Sequence, residues 1–233
     1  MEPFDSVVWV PAGAASLYGE FQVPVGEGSA VVLIARALGL DEPTAAEQQV
    51  ASELAQAGFA TLILDLVEPG ERAQIIQVKS EPGLLANRVI AASWWLLREQ
   101  ALYDPVLGLV GMPSASTAVL EAAASISDIV KGVVVLGGRP DLPSELVRGI
   151  EAPTLLIVGK EDAEGLEAHR AVLAELQVEK RLEEVPNVGD DLAGHAIELA
   201  QVARHACRWL EQHVNPQARG GHASSIRPSQ AEP

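Results

Sequence analysis

Short apolar runs alternate along this chain with longer segments whose apolar residues recur every three or four positions. Ala30–Ala35, Ala60–Leu66, Val106–Gly111, Gly132–Leu136 and Thr154–Val158 read as buried strands. Between and after them, Pro43–Ala57, Gly83–Gln100, Ser114–Ser125, Glu164–Leu176 and Leu192–Val214 read as helices. Gly58 stops the first of these. In the last, Leu199, Val202, Ala206, Trp209 and Leu210 share one face and are predicted to meet the core. Two strands, Ser6–Val10 and Ser16–Val23, precede the alternation. The in-out pattern of Leu17 to Val23 suits a half-exposed edge hairpin. Arg181–Val185 completes eight strands. Strands joined by helices of this length give an α/β fold, with a mostly parallel sheet covered on both faces.

The pattern stops near Val214. Residues 215–233 are rich in Pro, Ser, Gly and Gln and nearly free of large apolar side chains. The expected organisation is one domain over 1–214 and a disordered tail over 215–233. Net charge is −16, from 32 acidic and 16 basic residues. Such a surface repels phosphate backbones and anionic lipid, so neither nucleic acid nor a membrane is an expected partner. No apolar run is long enough to span a bilayer. Met1-Glu2-Pro3-Phe4-Asp5 has no basic segment followed by an apolar one, and a cytoplasmic setting is expected. The single cysteine, Cys207, leaves no internal disulfide and no cysteine-built metal cluster, and among helical residues it reads as an inert thiol.

The candidate chemistry centres on Pro113. It follows the strand Val106–Gly111 and precedes the small-residue stretch Ser114-Ala115-Ser116-Thr117-Ala118. A buried strand turning sharply into a helix is where a G-x-S-x-G elbow presents a nucleophile. The window here is Gly111-Met112-Pro113-Ser114-Ala115, so the small neighbours are present and the serine is not. An elbow nucleophile sits at positive φ, whereas proline is held near about −65°. The expectation is a relaxed junction, with Met112 extended and Pro113 in the first helical turn.

Three further stretches carry a family resemblance: Ala57-Gly58-Phe59-Ala60-Thr61-Leu62-Ile63-Leu64-Asp65-Leu66, Gly137-Gly138-Arg139-Pro140-Asp141-Leu142 and Ala152-Pro153-Thr154-Leu155-Leu156-Ile157-Val158-Gly159. With the layout over Val8–Val214, they resemble the dienelactone-hydrolase-like branch of the α/β-hydrolase superfamily. The resemblance implies an α/β-hydrolase fold with an eight-stranded sheet, and a Ser, Asp, His triad in that chain order. Carried over by position, the nucleophile falls on Pro113 and the acid, in a Gly-x-x-Asp pattern, on Asp162. The histidine falls on Asp190 or Asp191, within Pro186-Asn187-Val188-Gly189-Asp190-Asp191. The oxyanion loop falls on Arg36-Ala37-Leu38-Gly39. Three of these four elements depart from the family pattern, so the fold is implied intact and the serine-hydrolase mechanism disabled.

Alternatives stay open at each site. Ser114 is either a first-turn serine or a substitute nucleophile used with Asp162 and His195. Ser116 lies deeper in the helix. His195 is either structural or that triad's base. His169, His205 and His213 sit in helices and His222 in the tail, with no histidine partner at i,i+4. Asp162 with Asp190 or Asp191 is either a carboxylate cluster for acid/base or metal chemistry or a set of solvated loop acids. Arg36 is expected to pair with one of those aspartates, to join Arg139 in holding an anion, or to lie exposed. Leu38, Met112, Arg36 and Arg139 are the candidate ligand-binding residues, and no metal or cofactor is expected. The reading leans away from an enzyme and toward a homologue that binds a small molecule or a protein partner. The alternative is a weak carboxylic-ester hydrolase. A homo-oligomer stays open.

Overall fold

The computed structural model describes residues 4–24, 30–40, 42–81, 83–99, 101–102, 104–189 and 196–214. The predicted tail over 215–233 and the candidates Asp190, Asp191, His195 and His222 lie outside these residues.

The strands are β1 (Phe4–Ala12), β2 (Ala15–Val23), β3 (Ala30–Arg36), β4 (Ala60–Asp65), β5 (Val106–Gly111), β6 (Val130–Leu136), β7 (Thr154–Gly159) and β8 (Lys180–Val185). They form one sheet in the order β1-β2-β4-β3-β5-β6-β7-β8. β1 and β2 pair antiparallel, β2 meets β4 antiparallel, and every later pairing is parallel. The mostly parallel sheet expected from the alternation of runs is therefore present, in the eight-stranded arrangement that the α/β-hydrolase resemblance implies. The hairpin at one edge shows the predicted alternation, with Leu17, Phe21 and Val23 buried between half-exposed neighbours. In the centre, all seven residues of β3 and all six of β4 and β7 are buried, because helices cover both faces.

One face carries α1 (Ala45–Gln56) and α7 (Ala196–Val214), packed through Val50, Leu54, Val202, Ala206, Trp209 and Leu210. Leu199 is partly buried against the same cluster, so all five predicted positions of the last helix face the core. Each large apolar side chain withdrawn there contributes about 1.5–3 kcal/mol. α7 crosses the sheet closely: a Cβ on Gly132 would stand 2.8 Å from Val214 Cγ2, and one on Gly108 3.1 Å from Leu210 Cδ2. The other face carries α2 (Ile75–Ser80), α3 (Leu84–Leu96), α4 (Ser116–Ser125), α5 (Ser144–Arg148) and α6 (Ala163–Glu175).

The helices α2 and α5 and a 3-10 turn over Pro69–Gln74 were not foreseen. At five or six residues each they span two turns or fewer, too short to show a period. Among the described residues no helix is long and apolar enough to cross a membrane.

Candidate active site at the carboxyl ends of the strands

The centre of the site is the junction after β5. Met112 is extended at φ −71° and ψ 165°, and Pro113–Ala115 make one 3-10 turn that leads into α4. Proline's fixed φ and missing N–H suit that first turn. Among the described residues only Asp104 and Asn187 combine a side chain with positive φ. Neither Pro113 nor Ser114 has the backbone of an elbow nucleophile. The turn is held by Met112 N donating to Ala35 O (2.9 Å) and Ala115 N to Met112 O (2.8 Å). Ser116 donates to Pro113 O at 3.4 Å and is committed to the helix start. Gly138, after β6, packs against the same carbonyl. Its φ is +76°, and a Cβ there would lie 2.3 Å from Pro113 O. Only glycine meets both demands.

The loop after β3 forms the next wall. Ala37 N–H donates to Ser114 Oγ at 2.9 Å. Leu38 N–H reaches Asp65 Oδ1 at 3.3 Å, and Leu40 N–H reaches Asp65 Oδ2 at 3.0 Å. Asp65 also accepts from Val67 N–H at 3.0 Å. Arg36 anchors this loop from inside. Its guanidinium donates to Glu47 Oε2 (2.9 Å), Glu42 O (2.7 Å) and Leu40 O (2.5 Å). Its Nε stands 3.3 Å from Asp65 Oδ2 without hydrogen-bond alignment. Arg36, Glu47 and Asp65 are 1%, 1% and 2% exposed. Glu47 Oε2 also accepts from Thr44 N–H (2.7 Å), closing a capping box at the start of α1. One cation thus faces two buried carboxylates, and most of their polar atoms have partners, as buried charge requires.

The expected pairing of Arg36 with Asp162 is corrected here: its partners among the described residues are Glu47 and Asp65, while Asp190 and Asp191 lie outside those residues. Asp65 is its register neighbour on β4. Asp162 follows β7, three strands from β3, a separation of about 14 Å at normal strand spacing and beyond a guanidinium's reach. The exposed alternative is corrected with it, since Arg36 is buried. Arg139, 55% exposed, pairs with Glu164 at 2.6 Å.

Asp162 caps α6, accepting from Gly165 N–H through Oδ1 at 3.0 Å. Its Oδ2 is buried and has no hydrogen-bond partner among the described residues. His169, fully buried, donates from Nδ1 to Gly165 O at 2.8 Å, and its Nε2 has no partner among the described residues either. Burial pushes the His169 pKa below its ordinary value, against the opposing pull of the Gly165 carbonyl and the Asp162 carboxylate. Burial also pushes the Cys207 thiol up to about 12, which suits the inert reading.

A cavity of about 520 Å³ opens above this junction. Pro113 and Ser114 line it together with the candidates Leu38, Met112 and Arg139, and Thr44 and Glu47 form the α1 side. A second trough of about 640 Å³ shares Pro113, Ser114 and Arg139 and runs toward Leu142 and Leu146. The structure brings together five of the sequence candidates, Leu38, Met112, Pro113, Ser114 and Arg139, and leaves Arg36 behind the loop. The Arg36–Glu47–Asp65 cluster was missed. Its available signal was an Arg and an Asp ending adjacent parallel strands, with Thr44-x-x-Glu47 opening the intervening helix.

Residues 15–188 match the sequence profile of the Dienelactone hydrolase family. The chain belongs to that family. The dienelactone hydrolase of Anabaena variabilis ATCC 29413 is 32% identical, covers 92% of this chain and all of its own, and superposes with a TM-score of 0.83. A dienelactone hydrolase-like promiscuous phosphotriesterase, P91, from metagenomic libraries shares the fold at 19% identity. It has a TM-score of 0.74 and covers 91% of this chain and 99% of its own. Two Mycobacterium tuberculosis proteins, from strains CDC 1551 / Oshkosh and H37Rv, are provisionally named phosphoribosyl transferases. Each is 35% identical over 217 residues, covering 90% of this chain and 47% of the relative. The chain therefore spans about half the length of these two relatives.

Proposed function

We propose that this dienelactone hydrolase family member has lost serine-hydrolase chemistry and binds a small molecule in the cavity above Pro113, or a protein partner at the same face. The observation that carries the proposal is the state of the two loop amides. Ala37 N–H is held by Ser114 Oγ and Leu38 N–H by Asp65. Acyl transfer needs free, preorganised donors aimed at the developing oxyanion. Here the donors of the loop at the family's oxyanion position are spent on the protein's own side chains, beside a proline that offers no nucleophile.

The alternative hydrolase would use Ser114, Asp162 and His195. Asp162 Oδ2, buried and without a partner among the described residues, favours it, since a buried carboxylate oxygen is where a histidine N–H would dock. Against it, Ser114 lacks elbow geometry, and its oxygen accepts a loop amide that the chemistry would need free. Phosphoribosyl transfer, suggested by the Mycobacterium names, gains no support from these residues. Among the described residues the guanidinium lining the cavity, Arg139, is already paired with Glu164, and a net charge of −16 repels a pyrophosphate.

The test is hydrolysis of short p-nitrophenyl esters together with labelling by a fluorophosphonate. The expected result is no label and a rate equal to that of a Ser114→Ala/Ser116→Ala control. A rate above the control that disappears in Ser114→Ala would establish the hydrolase reading instead.

A further inference from the structure

Granted the binding role proposed above, we infer that the cavity selects an uncharged, largely apolar molecule presenting a carbonyl or ether oxygen, and that the Ser114 hydroxyl donates to it. Ser114 Oγ already accepts the Ala37 N–H at 2.9 Å. A hydroxyl has one proton to give, and among the described residues that proton has no acceptor. An oxygen that accepts a hydrogen bond becomes a better donor, so the amide polarises the O–H toward the cavity. Leu38, Met112 and Pro113 supply apolar surface around it.

The other polar groups decide the charge of the occupant. Thr44 Oγ1 likewise accepts a backbone N–H, from Glu47, but at 3.4 Å, so it is the weaker anchor. Glu47 brings a carboxylate to the wall, in a buried cluster of one cation and two anions. An anionic ligand meets that excess negative charge. Arg139 is the cation at the rim, and its pairing with Glu164 must break before it can compensate. A cationic ligand would find its carboxylate already held by Arg36 and Thr44 N–H. A neutral acceptor needs none of these contacts to change.

The experiment compares three probes of one shape by ligand-observed NMR and calorimetry: 2-acetylnaphthalene, 2-isopropylnaphthalene and 2-naphthoate. The ketone is expected to bind about three- to tenfold more tightly than the hydrocarbon, the range of one net neutral hydrogen bond. The naphthoate is expected to be the weakest. In Ser114→Cys, which keeps a small side chain but donates weakly, the ketone's advantage should disappear. Ser114→Thr should retain it and serves as the folded control. Equal binding of ketone and hydrocarbon to the wild type overturns the acceptor inference while leaving the binding role in place. Tightest binding by the naphthoate overturns the neutral class. Failure of all three probes to bind overturns small-molecule binding in this cavity itself, and the inference with it.

Discussion

The two sides of the candidate site are finished to different degrees. On the β3–β5 side, Ala37, Leu38 and Leu40 donate to side chains, Arg36 is clamped between two carboxylates with only its Nε out of hydrogen-bond alignment, and Pro113 sits in a relaxed turn. On the β7 side, Asp162 Oδ2 and His169 Nε2 are buried without partners among the described residues. Buried polar groups are normally paired, and an unpaired one costs about 1–3 kcal/mol. The contrast teaches that the two sides of one pocket can differ in how fully their polar groups are paired. At the β3–β5 side the loop amides have side-chain partners. At the β7 side only one oxygen of the Asp162 carboxylate has a partner among the described residues.

The largest effect is expected from breaking the finished side. Arg36→Ala leaves Glu47 and Asp65 buried opposite no cation and strips donors from the Leu40 and Glu42 carbonyls. Removing one partner of a buried ion cluster costs about 3–5 kcal/mol. Urea unfolding should show a loss in that range. Adding Glu47→Gln and Asp65→Asn to an Arg36→Met background should recover much of it, because no uncompensated charge is left behind. A loss under about 1 kcal/mol in Arg36→Ala would mean the cluster is hydrated rather than sealed, the regime of exposed pairs.

Gly138→Ala probes the contact that fixes Pro113. The new Cβ would meet Pro113 O at 2.3 Å, on a residue already at φ +76°. The strained φ and the clash together should cost about 2–4 kcal/mol. The carbonyl cannot retreat without unwinding the turn that places Ser114. The substitution should therefore also weaken any ligand whose affinity depends on Ser114, which NMR shifts at Ala37 N–H would report.

The sheet was legible because the central strands are short apolar runs, the edge hairpin alternates, and every long helix has a period. The eight strands, their mostly parallel pairing and the core face of α7 all follow from that. The relaxed junction at Pro113 was legible too, since a proline ring permits little else. Arg36 was not. Its loop position suggested a side chain reaching across the site, but strand order placed Asp65 beside it and Asp162 three strands away. Strand order is a long-range property, and no local pattern around Arg36 encodes it. The bond from Ala37 N–H to Ser114 Oγ spans 77 positions and was hidden for the same reason. α2 and α5 were missed because two turns are needed before a helix has a visible period.

The smallest effect concerns the unfinished side and is read from a pH slope. His169 is fully buried, and burial holds its pKa below the ordinary value of 6.5. In the unfolded chain the imidazole takes up its proton near 6.5, while in the fold it stays neutral to lower pH. As pH falls through that window the unfolded state binds more protons, so stability present above the ordinary histidine range is lost on acidification. Comparing unfolding at pH 7.5 and pH 5.5, the wild type should lose more stability than His169→Leu, which has no proton to bind. Asp162→Asn should steepen the fall, because the carboxylate now supports the protonated ring. If His169→Leu declines as steeply as the wild type, the ring is hydrated and readily charged in the native protein. The β7 side would then be as well provided with partners as the β3–β5 side, and the difference between them would vanish.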